Sequence, residues 1–394
     1  MNQYILNTKT QDFINKNLTT DISKLLFKGS SFENITIQEL VEQIESKNKC
    51  ASKLQSWYEV ENIYYPNKLN IEQTSSEITA NYKAKLLSGN TIIDLTGGFG
   101  VDCFAFSSNF KKVTHCEING DLSAIAKHNF NVLGKQNIDC IAKDGIAYLQ
   151  QNKQQFDWIY IDPSRRNDTK GKVFLLEDCL PNIPLNLKLL FKHTANILIK
   201  TSPMLDISSA INELNFVKEV HVIAIKNEVK EVLYLLERDY KDKISFKTIN
   251  FTKQEHQIFD FNTNTNEANY ALPQQYLYEP NAAILKAGAF NQVSLQLKLY
   301  KLHKHSHLYT SNELIDFPGR RFKILDTIPY QLKKLTTLIS NKKANITTRN
   351  FPESVAQIRK KTKLKDGGDT YLFFTTTMDG DKVVIVCEKQ FLSN

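Results

Sequence analysis

The sequence of 394 residues contains no run of 18 apolar residues, so we expect no membrane-spanning helix. Its first residues lack the basic stretch followed by an apolar stretch that marks a secretory signal peptide. Its cysteines form no Cys-x-x-Cys pair and lie scattered, at Cys50, Cys103, Cys116, Cys140, Cys179 and Cys387. Isolated thiols are typical of a reduced, cytoplasmic protein rather than of a disulfide framework or a zinc knuckle.

Charge is distributed unevenly along the chain. The formal net charge is +8, but the segment from Arg320 to Lys365 holds thirteen Lys and Arg residues against Asp326 and Glu353, a net charge of +11. The remainder of the chain therefore sums to −3. With 41% hydrophobic residues, the chain can bury the cores of two to four domains. A near-neutral body with one basic segment predicts a region that binds a polyanion.

Short apolar strands alternate with helical segments between residues 91 and 237. The first six strand candidates are TIIDL (91–95), KVTHCEI (112–118), IDCIA (138–142), FDWIYID (156–162), ANILIKT (195–201) and VKEVHVIAI (217–225). This alternation predicts a parallel sheet with helices on both faces. Only KNEVK separates the sixth candidate from EVLYLLE (231–237), which is too short for a crossover. The seventh strand is therefore predicted to be antiparallel.

The flanking segments have different patterns. Residues 1–88 are predicted to be helical, with an amphipathic helix in TIQELVEQIESK and a capping-box start at Thr74 and Glu77 for a helix ending near Gly89. After Glu237 the alternation fades into an Asn/Thr-rich stretch (260–270), predicted to be a linker or long loop. From about residue 317 we predict strand RRFKILD, helix IPYQLKKLTTLIS, strand ANITTRN, helix ESVAQIRKKTKL, and two strands, DTYLFFTTT and KVVIVCEK.

The motif DLTGGFGVD (94–102) combines an acid at a strand end with a glycine turn. Such a turn lets the backbone approach a ligand closely, and two ligands compete for it: a dinucleotide and S-adenosylmethionine. Cys103 replaces the third glycine of the dinucleotide fingerprint, and Asp102 would oppose a pyrophosphate at the helix N-terminus. S-adenosylmethionine carries a sulfonium and an ammonium group and no phosphate, so nearby acids favour it.

Acids end four successive strands. Glu117 is placed to accept both ribose hydroxyls, Asp144 to accept the adenine amino group, and Asp162 to face the transferable methyl group. The ordinary alternative is that each acid caps a helix or a turn, but four together with the glycines favour a cofactor site. The predicted cofactor-binding residues are Asp94, Thr96, Gly97, Gly98, Gly100, Glu117, Ile118, Asp144, Gly145 and Asp162.

Over residues 91–238 the chain resembles the class I S-adenosylmethionine-dependent methyltransferases, whose α/β fold is a Rossmann-like seven-stranded sheet. Further motifs give a closer resemblance, to a bacterial methyltransferase family with a ferredoxin-like insert and a C-terminal THUMP-like domain: EQTSSEITANYK (72–83), YIDPSRR (160–166), KTSPMLD (200–206) and NEVKEVLYLLE (227–237). The resemblance implies an N-terminal helical region (1–88) and a methyltransferase domain (89–240). It further implies a linker with a small ferredoxin-like region (241–317), a basic α+β THUMP-like domain (318–394), and an RNA substrate.

The fourth strand ends in the predicted catalytic residues Asp162, Pro163, Ser164 and Arg165. Enzymes that methylate exocyclic amino groups of bases often carry Asp/Asn-Pro-Pro-aromatic here, and this chain lacks the second proline and the aromatic ring. The stretch also loosely resembles the Asp-Pro-Pro-Arg of pyrimidine C5-methyltransferases, which need a cysteine nucleophile. Cys179 is the candidate for that role, but a buried apolar thiol is the favoured interpretation.

Several cations are candidates for substrate contact. Arg165 and Arg166 suit a bidentate phosphate clamp, or equally a pairing with Asp162 or a helix cap. The groups around Lys200 and around Asn227 follow strand ends, where substrate contact and ordinary turn roles both stay open. The predicted substrate-binding residues are Arg165, Arg166, Lys200, Asn227, Arg320, Arg321 and Lys361. His303, His305 and His307 are predicted to lie on a solvated surface, because no metal-ligand spacing accompanies them.

The sequence thus predicts a cytoplasmic S-adenosylmethionine-dependent methyltransferase that acts on rRNA or tRNA docked by its basic C-terminal domain. It predicts neither a metal nor a membrane partner. Two alternatives remain: a methyltransferase acting on protein or a small molecule, and a non-catalytic RNA-binding protein that retains the fold.

Overall fold

The computed structural model describes residues 1–165, 175–253, 255–263, 266–331 and 342–391. The chain forms two compact units, Met1–Lys218 with Leu233–Asp242, and Glu219–Val232 with Lys243–Asn394. Within the described ranges, none of the helices is both long enough and apolar enough to cross a membrane.

The first 88 residues are helical, as predicted. The helices are α1 (Thr8–Lys16), α2 (Ile22–Lys28), α3 (Ile37–Lys53), α4 (Gln55–Tyr58), α5 (Lys68–Gln73) and α6 (Glu77–Leu86), with a 3-10 turn at Gln3–Leu6. α3 begins with a capping box, in which Thr36 Oγ1 accepts from Glu39 N at 3.2 Å and Glu39 accepts from Thr36 N at 2.8 Å. The capping box predicted on Thr74 for α6 is wrong, because Ser76 is its N-cap and Thr74 closes the end of α5.

Nine strands form one sheet in the order β11-β10-β8-β9-β7-β4-β1-β2-β3, and β5 with β6 forms a separate two-stranded sheet. Their bounds are β1 (Thr91–Asp94), β2 (Lys112–Cys116), β3 (Ile138–Ile141), β4 (Trp158–Ile161), β5 (Ser164–Arg165), β6 (Cys179–Leu180), β7 (Asn196–Thr201), β8 (Val217–Ile225), β9 (Glu228–Glu237), β10 (Ser245–Phe251) and β11 (His256–Asn262). The helices between them are α7 (Val101–Phe106), α8 (Gly120–Val132), α9 (Gly145–Gln151), α10 (Ile183–His193) and α11 (Ile207–Glu213), with a 3-10 turn at Leu176–Asp178.

The seven predicted strands are all present, in the class I arrangement. β1 pairs in parallel with β2 and β4, β2 with β3, and β4 with β7. Only Lys226 and Asn227 connect β8 to β9, and both have left-handed φ angles, of 51° and 63°. A two-residue turn with two positive φ angles joins antiparallel strands, so β9 is the reversed strand.

The sheet continues past the seven predicted strands into β10 and β11, which were not predicted. The expected linker or long loop (260–270) overlaps only the last three residues of β11. β10 pairs in parallel with β8, and β11 pairs antiparallel with β10. The hydrophobic pattern hid β10, because two of its buried side chains, Thr248 and Asn250, are polar. Thr248 Oγ1 donates to Phe259 O at 2.7 Å, which compensates for its burial.

The C-terminal part of the second unit contains a seven-stranded sheet in the order β13-β14-β12-β15-β18-β17-β16. Its strands are β12 (Tyr276–Pro280), β13 (Tyr300–Lys301), β14 (Tyr309–Ser311), β15 (Gly319–Pro329), β16 (Asn345–Arg349), β17 (Thr370–Thr376) and β18 (Lys382–Gln390), and its helices are α12 (Ala282–Ala287), α13 (Phe290–Gln296) and α14 (Val355–Thr362). The prediction of a helix over 328–340 is wrong at its start, because Ile328 and Pro329 belong to β15. Residues 332–340 of the predicted helix lie outside the described ranges.

Candidate active site

The glycine loop after β1 lies closely against β2. Gly97 N donates to Cys116 O at 2.7 Å, and a Cβ on Gly97 would meet the His115 ring at 2.4 Å. Gly98 has a φ of 54°, and a Cβ built there would meet only Thr96 O, at 3.8 Å. The loop therefore needs glycine for its conformation, and it leaves open space beside its bare backbone at the carboxyl edge of the sheet.

Glu117 is held at this loop. Gly98 N donates to Glu117 Oε2 at 2.8 Å, and Asn119 N donates to Glu117 Oε1 at 2.8 Å. The side chain is half-buried, and the adjacent Ile118 is 72% exposed. A fixed carboxylate and an exposed apolar side chain thus lie together at the end of β2, beside the glycine turn.

Asp94 stabilises the loop from inside. Its Oδ1 accepts from Thr96 N at 2.9 Å and from Thr96 Oγ1 at 3.1 Å, and Cys103 Sγ donates to its Oδ2 at 3.4 Å. Burial raises the pKa of Asp94 to about 7, against the hydrogen bonds from Thr96. Thr96 Oγ1 also accepts from Asp162 N at 2.7 Å, so one threonine links the glycine loop to the start of the DPSR segment.

Asp144 and Gly145 begin α9. Asp144 is the N-cap, with Oδ1 accepting from Ala147 N at 2.8 Å, and its side chain is exposed. Gly145 is buried, and a Cβ there would lie 2.5 Å from Leu95 O. The capping role considered for such acids is therefore real for Asp144, and it uses one carboxylate oxygen.

Asp162 forms an ion pair with Lys200. Ile161 of β4 pairs with Ile199 of β7. Asp162 and Lys200 are the next residues along these two parallel strands, so they lie side by side. The Lys200 side chain is 10% exposed and that of Asp162 is 30% exposed. Burial raises the pKa of Asp162 above its usual value, although Lys200 opposes the shift.

A second buried ion pair joins α6 to α7. Lys83 Nζ lies 3.1 Å from Asp102 Oδ1, and the Lys83 side chain is completely buried. Ser75 Oγ and Tyr160 OH donate to Asp102 Oδ2 at 2.8 and 2.9 Å. Burial acts to raise the pKa of Asp102, but Lys83, Lys200 and these hydrogen bonds hold it below its usual value.

The residues after Asp162 leave the main sheet at once. Ser164 and Arg165 form β5, paired with Leu180 and Cys179 of β6. Cys179 is buried, and its Sγ donates to Leu175 O at 3.6 Å, in agreement with an inert thiol. Arg166, predicted to bind substrate, lies outside the described residues.

Asn227, which was proposed from sequence as a substrate ligand, has a structural partner. Its Oδ1 accepts from Ala282 N, the first residue of α12, at 2.8 Å, and its own N–H donates to Asn250 Oδ1 at 2.8 Å. The side chain thus satisfies one of the N–H groups that a helix start leaves without an intrahelical acceptor.

The predicted C-terminal substrate ligands are paired with acids. Arg320 and Arg349 share the buried Glu279, with Arg320 Nε at 2.6 Å from Oε2 and Arg349 Nη2 at 2.9 Å from Oε1. Arg321 pairs with Asp316 at 2.7 Å, and Lys361 pairs with Glu353 at 2.8 Å. These pairs limit the charge that the four cations can offer to a polyanion.

The three alternating histidines do not converge. His303 Nδ1 accepts from His305 N at 3.0 Å, whereas His307 stacks on Phe290 with ring centroids 3.6 Å apart. His307 is half-buried against Phe290, so a solvated surface is wrong for this residue, and its burial lowers its pKa to about 4. Among the residues that the structure describes, no three acidic, histidine or cysteine side chains are grouped to hold a metal.

We did not predict from the sequence that Asp162 pairs with Lys200 or that Asp102 pairs with Lys83. Asp102 was weighed only for its effect on a pyrophosphate, and Lys83 was not considered. The spacing of residues could have indicated the pairing of Lys83. This lysine lies three residues after Ala80 and four after Thr79, on the buried face of α6. A lysine on such a face needs a carboxylate partner.

Comparison with known proteins shows which domain families and which methyltransferase family the chain matches. Residues 319–389 match the model of a THUMP domain-like family, and residues 276–318 match that of a ferredoxin-like domain. A crystal structure of a candidate methyltransferase from Porphyromonas gingivalis W83 superposes with a TM-score of 0.88, is 32% identical, and is covered to 99%, as is this chain. The chain belongs to this methyltransferase family.

Two further relatives of the enzyme are more distant. An uncharacterized S-adenosylmethionine-dependent methyltransferase of Mycobacterium tuberculosis is 21% identical over 271 residues, which are 68% of this chain and 72% of that protein. An uncharacterized RNA methyltransferase of Mycoplasma mobile is 27% identical over 168 residues, 41% of this chain and 45% of that protein. The chain thus spans less than half of the Mycoplasma protein.

The enzyme uses S-adenosylmethionine, and the site fits this cofactor. The bare backbone at Gly98 leaves room for a ligand, Glu117 is fixed beside it, and exposed Ile118 adds an apolar surface. The cofactor supplies an electrophilic methyl group on a positively charged sulfur, which suits a strand edge that carries the acids Glu117, Asp144 and Asp162.

Proposed function

We propose that the enzyme methylates RNA, either rRNA or tRNA, in the cytoplasm. The N-terminal helices (1–88) support a catalytic region (89–240), the stretch 241–317 contains the ferredoxin-like region, and the basic THUMP-like region (318–394) docks the RNA. The name of the Mycoplasma mobile relative supports this substrate.

The observation that carries the proposal is a cluster of exposed lysines, which we call the lysine cluster: Lys342, Lys343, Lys360, Lys363 and Lys365. Lys343 and Lys365 face each other in a β-bridge, and Lys365 N donates to Lys342 O at 2.9 Å. Lys360 lies in the last turn of α14, and Lys363 is the C-cap of the same helix. Clustered ammonium groups bind the phosphate backbone by releasing counterions.

In the catalytic region we assign the cofactor to the glycine loop. Gly97, Gly98 and Gly100 supply the bare backbone, and Asp94, Thr96 and Gly145 hold its conformation. Glu117 binds the ribose hydroxyls, Ile118 covers the adenine ring, and Asp144 accepts from the adenine amino group with the carboxylate oxygen that does not cap α9. Asp162, with Pro163, Ser164 and Arg165 after it, borders the methyl acceptor.

The test is transfer of tritiated methyl from S-adenosylmethionine by the purified full chain. Total RNA and total protein from cells lacking the gene serve as parallel acceptors. We expect label in RNA, and substitution Asp162→Ala should abolish transfer while leaving cofactor affinity within a few-fold of wild type. The matched control Asp139→Ala removes an exposed acid paired with Lys112 and should leave transfer unchanged. Label confined to protein would refute an RNA substrate.

A further inference from the structure

The carboxylate proposed to border the acceptor is held by an ammonium group. Lys200 reaches Asp162 from the neighbouring parallel strand, and nine-tenths of its side chain is excluded from solvent. The nitrogen of Lys200 therefore lies at the strand edge beside Asp162, with little room to move. Lys200 is thus a basic group in direct contact with the carboxylate proposed to border the acceptor.

A second ion pair acts on the first. Lys83 from α6 and Asp102 from α7 pair with each other. The charge of Lys200 lowers the pKa of Asp102. The pKa of Asp162 is raised by the charge of Asp102 and lowered by that of Lys83. Tyr160 of β4 contributes a hydroxyl to Asp102. Two lysines and two aspartates thus form one cluster, which we call the charge cluster, with a formal net charge of zero when all four groups are ionised.

From this geometry we propose that the acceptor atom is a ribose hydroxyl oxygen of the RNA and that Lys200 accepts the hydroxyl proton. This inference rests on the proposed RNA methyltransferase function and names the chemistry of the same site. In the step, the hydroxyl oxygen forms a bond to the methyl carbon and the carbon–sulfur bond breaks, with its electron pair passing to sulfur. The hydroxyl proton moves to the neutral Nζ of Lys200, which becomes an ammonium group.

The geometry favours an oxygen over an amino nitrogen for two reasons. Methylation of an exocyclic amine needs acceptors directed at the amino hydrogens and a ring that stacks on the base. Here Lys200 contacts one oxygen of the Asp162 carboxylate, Oδ2, and Arg165 stands where the motif has its aromatic ring. A hydroxyl, in contrast, is a weak nucleophile until a base takes its proton, and Lys200, held beside Asp162, can supply that base once it has lost its own ammonium proton.

Charge balance explains how Lys200 becomes neutral. The cofactor brings one positive charge on sulfur to the same strand edge, next to the four groups of the charge cluster, whose charges sum to zero when all are ionised. Asp94, which also interacts with Asp102, adds a further acid to this edge. Loss of one proton from Lys200 leaves the cluster at −1, and this offsets the sulfonium charge in a partly buried site. Binding of the cofactor should therefore release a proton from Lys200, before any RNA is present.

The position of the methyl group tests the acceptor directly. RNA labelled by the enzyme with tritiated S-adenosylmethionine is hydrolysed with alkali, which cannot cleave next to a 2′-O-methylated ribose. We expect the label in alkali-stable dinucleotides. Label in mononucleotides would show a methylated base and overturn this inference while leaving the RNA methyltransferase function intact. Absence of label from RNA would overturn both.

Proton release tests the role of Lys200 without turnover. Calorimetric titration with S-adenosylmethionine, in buffers of different ionisation enthalpy, should show release of up to about one proton by wild type. Lys200→Met should release up to about one proton fewer than wild type, because any proton lost by Asp94 is lost by both proteins, and Lys188→Met, which removes an exposed lysine of α10, should match wild type. Release by Lys200→Met equal to that of wild type would overturn the assignment.

An arginine variant separates proton acceptance from charge. Lys200→Arg keeps the positive charge opposite Asp162 but cannot lose its proton near neutral pH. We expect both Lys200→Arg and Lys200→Met to lower kcat by roughly 10²–10⁴-fold. Lys200→Arg should also raise the KM for the cofactor, because its charge stays beside the sulfonium, whereas Lys200→Met should not. Thermal melting and cofactor binding confirm that each variant folds. Near-normal kcat in Lys200→Arg would contradict the role as base.

Discussion

At the scale of single residues, two glycines occupy equivalent positions with different surroundings. Gly120 and Gly145 are the first residues of α8 and α9, each after a parallel strand. A Cβ on Gly120 would meet nothing within 4 Å, whereas one on Gly145 would lie 2.5 Å from the Leu95 carbonyl oxygen. Leu95 directly follows β1 and precedes the glycine loop, so its backbone cannot move away without disturbing that loop.

We therefore predict that Gly145→Ala lowers the free energy of unfolding by about 1–3 kcal/mol through overpacking. Gly120→Ala, the matched control, should be neutral or stabilising by about 0.4–1 kcal/mol, because its backbone is compatible with alanine. Urea denaturation of both variants measures the difference. Equal stabilities would show that α9 does not press on β1.

The buried Asp94 makes a prediction about pH. Its pKa of about 7 in the folded state exceeds the unfolded value of roughly 3.9, so the folded state binds the proton more tightly. This group therefore favours folding most at low pH, and its contribution is lost as pH rises from about 4 to about 7. Asp94→Asn keeps an oxygen for the Thr96 donors and removes the titration.

We expect wild type to lose more stability than Asp94→Asn between pH 5 and pH 8, by on the order of 1–4 kcal/mol. The measurement is the urea midpoint of each protein across that range. Asp139→Asn, at an exposed position, should follow wild type at every pH. Parallel curves for Asp94→Asn and wild type would mean that Asp94 is ionised in the folded protein.

At the scale of secondary-structure elements, the Lys83–Asp102 pair fixes α6 against α7. Removing one partner of a buried ion pair leaves the other charge without compensation, which costs about 3–5 kcal/mol. Lys83→Met should therefore be strongly destabilising at pH 7. Adding Asp102→Asn should restore a large part of the loss, because the carboxylate that lost its partner is then gone.

The pH dependence of this variant follows from the same pair. In wild type the pKa of Asp102 is held below its usual value, so its stabilising contribution is lost only as pH falls below about 4. Without Lys83, only Lys200 and the hydrogen bonds oppose the effect of burial, so the pKa of Asp102 rises, and protonation then removes a charge that is less well compensated. The stability deficit of Lys83→Met should shrink between pH 7 and pH 5 in denaturant titrations; a constant deficit would contradict the pairing.

The same scale shows what sequence could and could not predict. Strands with continuous apolar runs, such as β4 and β7, were found because their buried positions are apolar, apart from Lys200 and Thr201 at the end of β7. β10 was missed because Thr248 and Asn250 are buried polar residues, whose partners lie far along the chain or in a turn. Periodicity detects apolar burial and not hydrogen bonds made on folding.

In the candidate active site, too, some features were predictable from the sequence and others were not. The acids and glycines were predictable, because their positions follow from strand ends. The pairing of Asp162 with Lys200 and of Lys83 with Asp102 was not, since pairing depends on which strands and helices are neighbours in space. Arg320 was predicted to bind RNA from its charge, but Glu279, 41 residues earlier, lies buried beside it.

At the scale of the whole molecule, RNA affinity should depend on salt and on the lysine cluster. Each phosphate contact contributes about 0.7–0.9 to the slope of log affinity against log salt. The triple variant Lys360→Gln, Lys363→Gln, Lys365→Gln should weaken RNA binding and reduce that slope by about 2–3. Filter binding at several salt concentrations measures both quantities.

The control for this prediction removes the same charge elsewhere. Lys16, Lys24 and Lys28 are exposed lysines of α1 and α2. Their replacement by Gln lowers the net charge of the full chain equally and should change the salt slope little. If the two triple variants behave alike, total charge rather than the lysine cluster determines RNA affinity.

The measurement that tests the account most directly is calorimetric titration of the full chain with S-adenosylmethionine, for wild type and Glu117→Ala. We predict one cofactor site per chain in wild type. We predict a loss of at least about tenfold in affinity for Glu117→Ala, corresponding to one or more lost charge-assisted hydrogen bonds, with Asp139→Ala unchanged. Equal affinity for wild type and Glu117→Ala would contradict a cofactor site at the glycine loop.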